Sequence, residues 1–290
     1  MPRWAHPYFV TQRLIGLGEK ERPVCIGEYV VRSCSAFVNK AVSAQKDREY
    51  FMKMVKERYA LQLGNAVPGG QEVVVHLLNT LVHEPGAKRV VLSDDGKNAY
   101  NATDRVGACN RTMSENPVCA RWVAWCYGTN AMLVNDAGVV WGKEGVFQGD
   151  PLGGRIHDTA FQPALELAVK RTAVLYPNSP VHVIAFRDDA YVVGEAEAAL
   201  YCHKQLVEER RVITGVEGAP EKFEAYCPLV AFASAGEHEH AQTVLGTELD
   251  PSKIRTDGIK AVGAPVSNNP HTFTHSSPRV STNIQIFSRA

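Results

Sequence analysis

Two pairs of carboxylates, Asp94-Asp95 and Asp188-Asp189, each adjoin a short apolar run, and Asp95 and Asp188 are separated by 188 − 95 = 93 positions. Val90, Val91 and Leu92 lead into the first pair as a strand leads to its end. The second pair sits within residues 181–194, where apolar runs flank Arg187-Asp188-Asp189 as the arms of a β-hairpin flank its tip. If the two strands are neighbours, about 4.8 Å apart, the carboxylates at their ends converge. Converging carboxylates offer hard oxygen donors to a divalent cation, and Mg²⁺ in particular takes one or two of them together with substrate phosphates. Two such cations can activate an attacking oxygen and stabilise a leaving one in phosphoryl transfer. Either acidic pair alone is an ordinary strand end at the surface; the two together in apolar settings point to a site. A third element is the glycine-rich segment from Gly145 to Gly153, in which Gln148 carries both donor and acceptor groups for a base or a phosphate. Taken alone, such a loop is an ordinary turn.

The elements that must position these groups follow from periodicity and punctuation. Residues 43–63 read as a Lys/Arg-bearing helix, closed off by Pro68-Gly69-Gly70 before a second helix over 71–81. A strand is expected over 88–95, a short helix after Asn101 and another near 118–126. Residues 132–141 alternate around Asn135-Asp136-Ala137-Gly138 as a hairpin does. The glycine-rich segment leads into a helix with Pro163 in its first turn and Leu165, Leu167, Ala168 and Val169 turned inward. A helix over 197–211, a loop-rich stretch, a hairpin near 259–266 and a loose polar tail beyond Pro270 complete the chain. Strands and helices in non-alternating order place the chain in the α+β class.

At 290 residues and 31.8 kDa, with 45% hydrophobic and 21% charged residues, the composition is that of a globular protein with a real core, not of a coiled coil or a disordered chain. No run approaches the roughly 18 apolar residues of a membrane span, and residues 1–10 lack the apolar core of a signal peptide. An intracellular protein, nuclear or cytoplasmic, with no membrane partner is expected. Seven cysteines without a CxxC pair argue against a disulfide framework or a zinc knuckle, and Cys25, Cys109, Cys126 and Cys202 are expected to pack as small hydrophobes. His238-Glu239-His240 reads as a solvated loop segment. The 31 basic and 31 acidic residues cancel, so no net field draws the chain to nucleic acid. Their distribution is uneven: residues 1–60 hold 11 basic against 6 acidic, and residues 195–250 hold 4 against 11.

Three of these segments, in order, resemble the motifs of retroelement reverse transcriptases. Asp95-Gly96-Lys97-Asn98-Ala99-Tyr100-Asn101 is similar to motif A, Gly145 to Gly153 to motif B, and Phe186-Arg187-Asp188-Asp189 to motif C. Arg22-Pro23-Val24 resembles the fingers motif, and Val67-Pro68-Gly69-Gly70 a loop of the non-LTR retrotransposon branch. Gly215-Val216 through Lys222 to Cys227 resembles motif D, and Gly258 to Pro265 the primer-grip hairpin, so the resemblance covers roughly residues 14–266. It implies a right-hand polymerase: a partial fingers region over 1–85, a palm with an antiparallel sheet and a fingers insertion over 86–266, a thumb largely missing, and a loose tail over 267–290. It further implies an RNA-directed DNA polymerase acting on a template with primer and a deoxynucleoside triphosphate. Asp95, Asp188 and Asp189 would be catalytic, with Asp95 and Asp188 ligating Mg²⁺ or, alternatively, Mn²⁺. Tyr100 would stand as a steric gate against a 2′-hydroxyl, Gln148 and Gly149 would meet the nucleotide or template, and Arg22 and Lys222 would neutralise triphosphate charge.

The chain departs from the family's pattern at three places. Arg187 stands where an apolar or small residue is usual, and is expected to ion-pair with the metal-binding carboxylates and compete with Mg²⁺. Asp94 replaces an apolar strand residue and would be costly if buried unpaired. Arg155, His157 and Asp158 put polar and charged groups on the helix after Gly153. These departures favour a truncated or decaying copy, so a catalytically inactive relic or nucleic-acid-binding module with the same fold is the alternative. A nuclease or nucleotide-cyclising site on a related fold is a third reading, against which Tyr100 and the glycine-rich segment speak.

Overall fold

A computed structural model describes residues 6–17, 22–44, 48–49, 52, 59–65 and 67–268. Its strands are β1 (Gln12–Leu17), β2 (Arg22–Gly27), β3 (Ala60–Gln62), β4 (Val90–Asp94), β5 (Ala131–Asn135), β6 (Gly138–Gly142), β7 (His182–Phe186), β8 (Asp189–Gly194), β9 (Glu224–Tyr226), β10 (Ile254–Arg255), β11 (Ile259–Ala261) and β12 (Ala264–Val266). The longer helices are α1 (Tyr29–Val42), α2 (Gly70–Val82), α3 (Arg105–Glu115), α4 (Ala120–Tyr127), α5 (Gly153–Leu175), α6 (Ala196–Thr214) and α7 (Ala235–Leu245). This is an α+β arrangement.

The central sheet runs β10-β9-β4-β8-β7-β3. Its middle four strands are antiparallel, but β3 joins β7 and β10 joins β9 in parallel, so the sheet is mixed at both edges. Period-two alternation sorts its residues into two layers. Val90, Leu92, Val183, Ala185, Ala190 and Val192 face α5 and α6, where Phe161, Leu165, Ala168, Cys202 and Leu206 cover them. Val91, Ile184, Tyr191 and Val193 face the opposite side, under α2 and the β11-β12 hairpin. Each fully buried aliphatic side chain in these layers contributes about 1.5–3 kcal/mol of transfer free energy. A second sheet, β2-β1-β5-β6, packs with α1, α3 and α4 around Cys25, Cys109, Cys126 and Phe147.

Several expectations are corrected here. Residues 60–62 form a strand, so the helix expected over 43–63 does not reach Leu63. Tyr59 O accepts from Val183 N and Leu63 N donates to Ala185 O, which satisfies the open edge of β7. Residues 45–47, 50–51 and 53–58 lie outside the described residues. Pro163 sits in the interior of α5, which begins at Gly153, so its missing N–H interrupts the helix ladder rather than opening it. His238 and His240 lie on α7, not on a loop. Ser234 caps that helix by accepting from Glu237 N, and Glu237 reaches back to Ala233 N. The expected hairpins at 132–141 and 259–266 are β5-β6 and β11-β12. The tail from residue 269 onward lies outside the described residues. No described helix is long and apolar enough to cross a membrane.

Candidate active site

Asp94 pairs with Ala190 across β4 and β8, which makes Asp95 the first residue past the paired register. Asp189 opens β8 opposite Phe186, leaving Arg187 and Asp188 as a two-residue loop. The end of β4 and the β7-β8 tip therefore lie side by side, as the spacing of two neighbouring strands requires. A cleft of about 280 Å³ opens there, lined by Asp95, Tyr100, Gln148, Asp188, Asp189 and Lys222 together with Pro23, Gly96, Asn98 and Ala99. Six residues singled out in the sequence thus share one cavity. Gly149 does not line it, and Arg22 begins β2 with a side chain outside the described residues.

The loops that bring these residues together are fixed by backbone bonds. Ala219 N donates to Asp95 O at 3.0 Å and Lys97 N to Glu217 O at 2.8 Å, so the 215–222 segment docks on the end of β4. The Lys222 ammonium then pairs with the Asp95 carboxylate. The glycine-rich loop is tied at two points. Val146 N donates to Tyr100 O at 2.7 Å, and Cys25 N to Gln148 O at 2.8 Å. Gly145 (φ 73°) and Gly149 (φ 114°) adopt backbone that side chains avoid. A Cβ would meet Asn101 O at 2.4 Å in the first case and Cys25 O at 2.6 Å in the second. Glycine at these positions lets the loop approach its neighbours; neither glycine need touch a ligand.

Several supporting residues carry no local signal of their role. Buried Arg105 donates to the carbonyls of Gly142, Glu144 and Gly145 at 2.6–2.7 Å and so anchors the loop before Gln148. His157 stacks on Tyr100 with ring centroids 5.0 Å apart at 25°. Thr103 Oγ1 donates to Ala99 O, so at 3.0 Å it accepts from the His157 Nδ1–H. Burial, with Arg187 and Arg210 nearby, pushes the imidazole down to about 3, and it stays neutral near pH 7. Burial, then the Asp158 charge, raises the Tyr100 phenol, so that ring too is uncharged.

The departures resolve differently from expectation. Arg187 turns away from the cleft: its guanidinium binds the fully buried Asp158 carboxylate at 2.5 Å and Asn65 Oδ1 at 2.9 Å. Ion pairing with Asp158 replaces the expected competition for the metal ligands. Asp94 shares the helix-facing side of β4 with Val90 and Leu92, and it is not left alone there. The buried Arg210 of α6 binds it with both terminal nitrogens, and His203 Nε2 lies 3.1 Å from its Oδ1. Arg155 donates to Asn39 Oδ1 and Ser43 Oγ at 2.7 Å, joining α5 to the segment around α1.

Among the described residues no cluster of three or more His, Cys, Asp or Glu side chains is placed to hold a metal by itself. Asp95 and Asp188 on one cleft are a hard-oxygen pair, which suits a cation that completes its shell with phosphates and water.

No protein-family model matches the chain, and no curated protein is detectably similar. Among solved structures it is similar to telomerase from Candida albicans in complex with a TWJ fragment of telomeric RNA, with TM-score 0.58 and 11% identity over 92% of this chain and 45% of that one. It is also similar to telomerase from Candida tropicalis in complex with a TWJ fragment of telomeric RNA, with TM-score 0.53 and 12% identity over 97% of this chain and 48% of that one. The chain spans less than half the length of either. At such identity the likeness is one of fold, and the fold is reverse-transcriptase-like.

Proposed function

We propose that the chain is the polymerase core of a retroelement-type reverse transcriptase, joining deoxynucleotides to a primer 3′-hydroxyl along an RNA template. The observation that carries this reading is the single cleft holding Asp95, Tyr100, Gln148, Asp188, Asp189 and Lys222. On it the central sheet is the palm, within 86–266, and the β2-β1-β5-β6 sheet with α1 belongs to the fingers. Assignment to the non-LTR retrotransposon branch rests on Val67-Pro68-Gly69-Gly70. RNA in the telomerase structures of like fold is in keeping with a template partner.

Asp95 and Asp188 would hold Mg²⁺, or Mn²⁺ in its place, with Asp189 beside them. Bound there, two ions supply charge neutralisation and an activated hydroxyl for in-line displacement at the α-phosphate. The chain's own residues do the rest. Lys222, paired with Asp95 in the free protein, carries its ammonium to the triphosphate as the carboxylate takes up another cation. Gln148 presents its amide from a backbone fixed on β2. Tyr100, braced by His157, puts a ring under the sugar, where a 2′-hydroxyl would collide with it. Arg22 is the second cation that the resemblance assigns to the triphosphate.

The test is extension of a labelled DNA primer on an RNA template with Mg²⁺ and then Mn²⁺. Extension by the parent that falls to background in Asp95→Asn and Asp188→Asn is the expected result. A second reading keeps the fold without catalysis, as a relic or a nucleic-acid-binding module; Lys222 occupying Asp95 favours it. A folded parent that binds primer and template and extends neither would establish that second reading.

A further inference from the structure

We propose that Arg187 is a positioning residue for the carboxylate tip, holding Asp188 and Asp189 in place through a buried clamp on the residue before them. The inference rests on the reading of Asp188 as a metal ligand. Both main-chain groups of Arg187 and its Nη1 are engaged from outside the hairpin. Gln62 grips the main chain at both ends: its Oε1 accepts from Arg187 N at 3.1 Å and its Nε2 donates to Arg187 O at 3.0 Å. Gln62 Oε1 also accepts from Gly64 N at 3.0 Å, which holds the gripping side chain itself. The guanidinium is taken by Asp158 on α5 and by Asn65, while its carbon stands 5.8 Å from the Phe186 ring centroid.

The niche is built for this side chain. A Cβ at Gly154 would lie 2.5 Å from the Arg187 Nη1, and a Cβ at Gly64 would lie 2.5 Å from Asp158 Oδ2 and 3.1 Å from Arg187 N. Two glycines therefore leave the volume that the ion pair fills. The backbone needs such help: Arg187 sits at φ 60°, left-handed space that an arginine does not choose unaided. A residue held in that conformation persists when its surroundings over-determine it. Here two segments, residues 62–65 and α5, do so, and the peptide leading into Asp188 is one of the gripped groups. Ligand oxygens must be held to about 0.5 Å for productive metal geometry, and the clamp supplies that restraint from behind the cleft.

The test measures Mn²⁺ affinity by calorimetry and thermal midpoint together, on the full chain, for Arg187→Leu/Asp158→Leu, Arg187→Lys and Asp188→Asn. The double substitution removes the buried Asp158 carboxylate together with its half-buried partner, so the protein folds without an orphaned carboxylate. Positioning predicts a midpoint near the parent's with Mn²⁺ affinity at least tenfold weaker, and a fall in kcat for extension at little-changed KM. Arg187→Lys, which keeps a cation for Asp158 without the guanidinium, recovers part of that affinity. A double variant that folds and binds Mn²⁺ as the parent does overturns the inference while leaving the metal site intact. A parent that binds no Mn²⁺, or an Asp188→Asn variant that binds it equally, overturns both the inference and the catalytic reading beneath it.

Discussion

Replacing Arg210 by methionine keeps most of the side-chain volume on α6 and removes the cation that faces Asp94. Arg210 and Asp94 are 1% and 6% exposed, so water does not take over the lost partner. His203 remains, 3.1 Å from one carboxylate oxygen and stacked on Phe223 with centroids 4.0 Å apart. Removing one member of a buried ion pair costs about 3–5 kcal/mol, because the other charge stays behind. At about 2–4 °C per kcal/mol for domains of this size, the midpoint falls by about 6–20 °C. The pair itself is worth far less than that. Arg210 Nε is buried without a hydrogen-bond partner among the described residues, and an unmet buried donor costs about 1–3 kcal/mol. An Asp94→Leu/Arg210→Met variant, which exchanges both charges for apolar groups, should therefore recover most of the loss. Thermal unfolding of the parent, both single variants and the double variant gives the coupling directly. A single variant that shifts the midpoint by less than about 2 °C, or a double variant as unstable as the worse single one, would refute the account of Asp94 as a compensated buried charge.

Two other outcomes follow from the same geometry. His157, pushed down to about 3 from 6.5, binds fewer protons when folded than unfolded between those values, so its contribution to stability grows as pH rises through that window. Relative to His157→Phe, the parent should lose up to about 1.4 kcal/mol per pH unit on acidification below 6.5, read from urea midpoints at pH 4.5, 5.5 and 6.5; parallel profiles would contradict the buried neutral imidazole. Gly149→Ala forces a Cβ to within 2.6 Å of Cys25 O on a backbone at φ 114°, so the loop must leave β2. The thermal midpoint should fall with the lost backbone bond and nucleotide affinity should drop with it, and unchanged affinity would remove Gln148 from the site.

The cleft was legible because its determinants are local. Apolar alternation ending in Asp94-Asp95, and two apolar runs around Arg187-Asp188-Asp189, describe a strand end and a hairpin tip, and β4 and β8 are indeed partners. The glycine-rich segment was legible for the same reason, and Gly145 and Gly149 pack their backbones against Asn101 and Cys25. The missed strand Ala60–Gln62 is three residues long and owes its form to β7, more than a hundred positions away. No window around it carries that information. Helix α7 is different: Ser234 and Glu237 announce its start, and the signal was there to be read. Charge pairing was the least legible feature. Arg187 was expected to seek the nearest carboxylates in sequence, yet its partner lies 29 positions earlier, and Asp94 finds Arg210 across 116.

Those pairings set what the buried charges cost the fold. A single charge arriving in a core by unconstrained substitution has no partner waiting, and the cost of several kcal/mol is a large part of a total stability of about 5–15 kcal/mol. Here Asp94 meets Arg210 and His203, Arg187 meets Asp158 and Asn65, and Arg155 meets Asn39 and Ser43. Gly64 and Gly154 leave room for the second of these sets. Two of the sets sit directly behind the cleft, at the residue before Asp95 and the residue before Asp188. Each pairing fixes the backbone that leads into one of the two cleft carboxylates.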